Sequence, residues 1–276
     1  MGKVFRPQAI FTAFKYGVYA LLALNVVLFF QEESLATDKT FSRGINLVDI
    51  IQGFAATIDT SAWLALLLLF ELQTSFLDDA ILRKPNVKAW FLGARAFSYG
   101  FILYVFYGYL TKMLLLYNIS PLSVEDVCDL VGQGFSSIVT LDEYSLLNLQ
   151  SCLALMDTEL LRLDGEQVLG SAPDWQAIQW LAWVDVINSL TWIAVVVILE
   201  IDLLLQRSGL LAGHFANISN RLKMMLYSIL FAAAAYWGLH GDFLDFWDSF
   251  LWLIAFVFIE RNLFHRQAQA SADSAG

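Results

Sequence analysis

Residues 59–71 read Asp-Thr-Ser-Ala-Trp-Leu-Ala-Leu-Leu-Leu-Leu-Phe-Glu, and the same skeleton returns twice. Asn188-Ser189 precedes Trp192 and Glu200; Asp248-Ser249 precedes Trp252 and Glu260. Each time an acid or amide is followed by a hydroxyl residue, then by Trp four positions after the first, then by Glu eight positions after the Trp. Only apolar residues separate Trp from Glu, and a polar residue follows two positions later: Gln73, Asp202 or Asn262. The chain has nine Trp in 276 residues, so three in one register mark an internal repeat. Repeats of apolar segments commonly set the architecture of membrane proteins.

Helix geometry gives this register a shape. At about 100° per residue, the Asp or Asn lies roughly 40° to one side of the Trp and the Glu roughly 80° to the other. The motif therefore occupies one face of a helix, with its two polar ends about 18 Å apart along the axis. The Asp or Asn is expected near the outer interface, and the Glu one to two turns inside the cytoplasmic end.

Composition points to lipid. The chain is 58% apolar and 15% charged, with 22 Phe. A bilayer-spanning helix needs roughly 20 apolar residues. Six segments qualify, at 13–31, 59–77, 90–116, 179–205, 222–239 and 246–264. A seventh apolar stretch, 45–56, is interrupted by Asp49 and Gln52 and is expected to be an interfacial helix leading into the second span. With six spans and a cytoplasmic N-terminus, twelve basic residues flank the cytoplasmic side. Only Lys39, Arg43, Lys112 and Arg162 remain outside. That bias fixes the expected orientation, with both termini cytoplasmic. The apolar run Val18–Phe30 ends in Phe29-Phe30-Gln31-Glu32 without a small-residue cleavage site, so the first span is expected to be retained. Short loops and the small-residue tail 269–276, expected to be disordered, lean towards a bacterial inner membrane.

The odd spans carry a signature of their own. Lys15 precedes Tyr19, Arg95 precedes Tyr99 and Lys223 precedes Tyr227, each by four residues. That spacing places both side chains on one helix face. Three tandem hairpins follow, at 7–83, 88–210 and 216–268. Because an unpaired carboxylate in hydrocarbon costs a few kcal/mol, the expected pairs are Lys15 with Glu71, Arg95 with Glu200 and Lys223 with Glu260. Those three Glu residues either staple helices or line a path for an ion or small solute. Asp185, seven residues before Trp192 as Asp245 is before Trp252, is a further candidate for binding a proton or cation.

The second hairpin holds an outer insertion, 118–178, with ten acids and one base, Arg162. Ser123 with Asp126 and Thr140 with Glu143 look like the starts of two helices. Cys128 and Cys152, the chain's two cysteines, would then clamp them by a disulfide. The acids keep this region soluble or dock a basic partner. The three His lie at span ends or in loops, and no HExxH, Walker or nucleophile-elbow motif occurs. Neither catalysis, a metal, a cofactor nor nucleic acid is expected. The sequence thus predicts an all-α integral membrane protein of six transmembrane helices in three hairpin repeats, with a small helical extracytoplasmic insertion. It is either a small-solute or ion transporter or a non-catalytic scaffold.

Overall fold

The computed structural model describes residues 7–40, 50–51, 53–77, 81, 84–156, 158–207, 214–240 and 243–256. Helix α1 (Pro7–Thr40) is followed by α2 (Ala55–Glu71), which continues into a π-helical turn, Leu72–Phe76. Helix α3 (Pro85–Leu115) starts with Pro at its first position, where a missing N–H costs nothing. An outer region of five short strands and helix α4 (Leu149–Leu155) leads into α5 (Ala172–Arg207). Helices α6 (His214–His240) and α7 (243–256) complete the described chain.

Four helical segments are long and apolar enough to cross a membrane: Ile10–Thr37, Pro85–Leu115, Ala172–Asp202 and Phe215–His240. No more than a third of each apolar window is buried within the protein. Phe97, Leu103, Leu190 and Phe231 are among the large apolar side chains left on the outside. In water such a surface would drive aggregation; in lipid it is the expected exterior. The chain is consistent with a polytopic membrane protein.

One apolar core joins all six long helices. Leu22 of α1, Trp63 and Leu67 of α2, Ile102 of α3, Trp192 and Val195 of α5, Leu230 of α6 and Trp252 of α7 are all buried in it. Helix α2 packs between α1 and α3, and α5 between α3 and α6. A hydrogen bond from Asn25 Nδ2 of α1 to Asp248 Oδ1 of α7 (2.7 Å) ties the first helix to the last. Helix α2 lacks a side-chain cap of its own. Glu33 of α1 supplies one, accepting from the Ala56 and Thr57 amides at 2.7 and 2.9 Å and from Thr57 Oγ1 at 2.6 Å. A carboxylate at the positive end of a helix satisfies otherwise orphaned N–H groups.

The outer segment is not the helical pair expected from the sequence. It is a sheet of β1 (Ile119–Pro121), β2 (Ser136–Ile138), β3 (Tyr144–Leu146), β4 (Leu160–Leu163) and β5 (Val168–Ser171). The strand order is β1-β4-β5-β2-β3, with β2 and β5 parallel and the other pairs antiparallel. Asp126 caps a single 3-10 turn, Val127–Leu130, rather than a long helix. Thr140 and Glu143 form the turn between β2 and β3, with the Val139 and Thr140 amides both donating to the Glu143 carbonyl. The capping box belongs to Asn148 and Ser151 at the start of α4. Gly165, at φ 83°, allows the tight β4–β5 turn. The expected Cys128–Cys152 disulfide forms, with its Cα atoms 5.1 Å apart.

The sheet is fixed to the bundle. Strand β5 runs directly into α5, where Ser171 and Asp174 cap the helix reciprocally. Trp175, 1% exposed, donates from Nε1 to the Leu161 carbonyl at 3.1 Å. Lys112 near the end of α3 pairs with Asp142. Of the expected interfacial helix, residues 45–49 and 52 lie outside the described residues. Ile51, almost fully buried, packs with Ala55 against Val105 of α3. The expected tail, 269–276, also lies outside them.

Candidate functional site

The ion pairs anticipated from the sequence separate into different cases. Lys15 Nζ of α1 meets Glu71 Oε1 of α2 at 2.5 Å, with the two residues 7% and 2% exposed. Tyr16 and Tyr19 donate to the same carboxylate at 3.1 and 3.3 Å. This pair forms as expected, and the tyrosines satisfy lone pairs that lysine alone would leave bare.

The second expected pair does not form. Arg95 donates to Gln73, while Glu200 accepts from Tyr99 at 3.0 Å. Gln73 lies in the π-helical turn after Glu71. Wider winding there alters the direction of its side chain relative to a regular helix. The third expected partner, Glu260, lies outside the described residues. Lys223 binds Asp202 of α5 at 3.0 Å, and Ser219 donates to the same oxygen at 2.7 Å. Glu71 and Glu200 are thus held at different interfaces, α1 with α2 and α3 with α5.

What comes together is the other end of the motif. The Trp63 ring lies 6.0 Å from Trp192 and 6.4 Å from Trp252, and the Phe256 ring lies 4.6 Å from Trp192, tilted by 40°. Asp59, Asn188 and Asp248 face one small cavity of about 30 Å³ beside this aromatic cluster, with Thr60 and Ser249 completing its polar wall. The four-residue spacing of the motif places each Asp or Asn on the same face as its Trp. Three helices that bring their tryptophans together therefore also bring these polar residues together.

The cavity sits at different distances from the ends of the helices that line it. Asn25, bonded to Asp248, stands 15 residues from Ile10 (25−10) and 12 from Thr37 (37−25) in the first apolar segment. That places it about 18 Å along the helix from Thr37. Asn188 lies 16 residues from Ala172 (188−172) and 14 from Asp202 (202−188). Asp59, by contrast, stands four residues from the start of α2 at Ala55 (59−55) and Asp248 five from the start of the described α7 (248−243), so both lie within about 8 Å of a helix end.

Several polar atoms at or near the cavity are unsatisfied; of their residues, Asp59 and Asn188 line it. Asn25 Oδ1, Asp59 Oδ1, Asn188 Oδ1 and Ser189 Oγ are buried with no hydrogen-bond partner among the described residues. Asp59 is 9% exposed, and Ser189 and Asn25 less. Such atoms are rare in folded proteins because each forfeits its hydration.

Polar groups continue on both sides of the cavity. Towards the sheet, Tyr109 is within electrostatic reach of Asp59, Asp185, Glu33 and Asp245. Asp185 is buried at this level. Towards the opposite end, a cavity of about 140 Å³ reaches Arg95, Tyr99 and Glu200 and shares Trp63, Trp252 and Phe256 with the polar one. The aromatic cluster stands between the two. Among the described residues, no group of three His, Cys, Asp or Glu is placed to hold a metal ion.

Sequence reasoning did not single out Asn25, Tyr109 or Glu33. A signal for the first was present: Asn25 is the lone amide inside the apolar run Val18–Phe30. Comparison of the chain with known protein families, curated proteins and solved structures finds no match.

Proposed function

We propose that the protein moves a small ion or solute across a membrane through the centre of its helical bundle. The observation that carries this reading is the meeting of Asp59, Asn188 and Asp248 at one polar cavity beside the Trp63–Trp192–Trp252 cluster. Intramembrane acids are costly, and where they face a common cavity they typically mark a substrate path. The transport site moves accordingly from Glu71 and Glu200, which have separate partners, to the Asp/Asn end of the same motif.

The proposed architecture is three hairpins forming six spans, with α2, α5 and α7 innermost at the tryptophan cluster. Helix α2 and its π turn run from Ala55 to Phe76, 22 residues (76−55+1) or about 33 Å, enough to cross hydrocarbon. The apolar sequence of α7 continues to Ile259. Both termini are placed in the cytoplasm, and a bacterial inner membrane is the proposed location. Labelling of Lys84→Cys should require permeabilised cells, while Asp164→Cys should react from outside; the reverse pattern would overturn this orientation.

The transport test uses protein reconstituted in vesicles. Wild type should carry flux of at least one member of a panel of protons, alkali cations and small metabolites. Asp59→Asn should reduce that flux tenfold or more at unchanged folded yield, while Glu71→Gln should chiefly lower stability. No wild-type flux across the panel would refute the reading.

One observation favours a second reading, a scaffold that docks a partner. Leu149, Leu153 and Met156 form an exposed apolar row along α4, beside exposed acids such as Glu125 and Asp129. A basic partner with an apolar ridge would fit. If flux is absent, crosslinking from Leu153→Cys in native membranes becomes the deciding measurement.

A further inference from the structure

We infer that the central cavity is a binding site for one dehydrated monovalent cation of about sodium's size, held by Asp59, Asp248 and the neighbouring neutral oxygens. Its role as the transported ion rests on the transport reading above; its binding does not.

Charge balance is the first argument. The cavity is lined by two carboxylates, Asp59 and Asp248, close enough to interact electrostatically. Of the bases within the described spans, Lys15 is engaged on Glu71, Arg95 on Gln73, Lys112 on Asp142 and Lys223 on Asp202, while Lys88 and Arg221 are exposed on the surface. Among the described residues no base forms an ion pair with either Asp59 or Asp248. Asp248 does receive Asn25 Nδ2, which orients that amide and leaves its oxygen as the unpaired atom. Two buried acids beside several unsatisfied acceptors form a site lacking positive charge.

Hydrogen-bond valence is the second. Among the residues that line the cavity, Asn188 Oδ1 can only accept, and Asp59 Oδ1 likewise while its carboxyl is ionised. A single proton on Asp59 would convert one acceptor to a donor and leave the charge of Asp248 uncompensated. A cation satisfies several oxygens at once, which a lone hydrogen bond does not.

Size and ligand type decide the class of ion. A cavity of about 30 Å³ has room for one or two water-sized particles. Magnesium retains several waters and demands octahedral geometry, which such a space does not supply. Calcium favours six to eight oxygens and more carboxylates than the two here. One hard monovalent cation, stripped of water and bound by carboxylate, amide and hydroxyl oxygens, matches both volume and donors. The aromatic cluster closes the site towards the larger cavity, which is lined by both Arg95 and Glu200.

The test is thermal unfolding of the purified full chain in detergent, at constant ionic strength. N-methylglucamine chloride serves as the background, and lithium, sodium or potassium chloride is titrated in. One alkali cation should raise the unfolding midpoint by several degrees, saturably, with one site by calorimetry. Asp59→Asn and Asp248→Asn should each abolish that rise, while Glu71→Gln keeps it. Should both Asp variants fail to fold, Asn188→Leu, which removes a neutral amide and no charge, should weaken apparent affinity roughly tenfold. Equal midpoints in all four salts would overturn the inference. So would a rise that survives in the Asp variants, or a site responding to pH alone. Saturable binding without flux would leave the site standing and remove the transport reading; flux of another solute without cation stabilisation would do the reverse.

Discussion

Removing Lys15 should cost more stability than removing Lys15 and the charge of Glu71 together. In the wild type the Glu71 carboxylate, 2% exposed, receives Lys15 at 2.5 Å and two tyrosine hydroxyls at 3.1 and 3.3 Å. Breaking a buried ion pair by deleting one partner typically costs ~3–5 kcal/mol, because the surviving charge stays desolvated. The two tyrosines remain as donors and soften that penalty, so Lys15→Met should fall near the lower end, about 3 kcal/mol. In the double variant Lys15→Met with Glu71→Gln, a neutral amide keeps the tyrosine contacts, and the loss should be about 1 kcal/mol. The double variant should therefore be about 2 kcal/mol more stable than Lys15→Met alone, and any loss in Glu71→Gln adds to that as coupling. Reversible unfolding in mixed micelles, read by tryptophan fluorescence, measures all four corners of the cycle. A double variant as unstable as the sum of the single variants would show that Lys15 and Glu71 do not act as a pair.

Three further outcomes follow from contacts elsewhere. Glu33→Ala should destabilise by about 2–3 kcal/mol and Glu33→Gln by about 1, since Gln retains one acceptor for the α2 amides; equal losses in the same unfolding assay would mean that Glu33 does not cap α2. Gly108→Ala should cost about 1–3 kcal/mol, because its Cβ would meet the Ile51 carbonyl oxygen at 2.7 Å, while Gly100→Ala, with nothing within 4 Å, should be neutral or slightly stabilising. Replacing Cys128 and Cys152 by Ala should weaken the outer sheet by about 3.5 kcal/mol, from the 24-residue separation that the bridge closes. Hydrogen exchange should then accelerate within 118–178 and remain unchanged in α1 and α6.

The failures of sequence reasoning have local physical causes. Strands of three or four residues are too short to show reliable alternation, and the parallel β2–β5 pair brings together residues about 30 positions apart. Ser/Thr-x-x-acid spacing suits a helix start, but at Thr140 the main chain turned back and both amides found the Glu143 carbonyl instead. Pairing Arg95 with Glu200 requires regular helices. The π turn at Leu72–Phe76 places Gln73 within its reach, and Tyr99 supplies the donor that Glu200 requires. Asp202, two positions after a repeat Glu, took the partner expected for Glu260.

The sequence by itself determined which segments are helical and apolar, that Lys15 and Glu71 share a depth, that Cys128 and Cys152 can bridge, and that Asp/Asn and Trp occupy one face of three helices. Those properties depend on composition and on the fixed rotation of a helix, which neighbouring residues specify locally. The tertiary structure alone decided which end of that face converges. A helix sequence sets the angle between Asp, Trp and Glu but not the tilt of its axis. Packing of the tryptophans drew the Asp/Asn ends to one cavity, while Glu71 and Glu200 were left to separate partners.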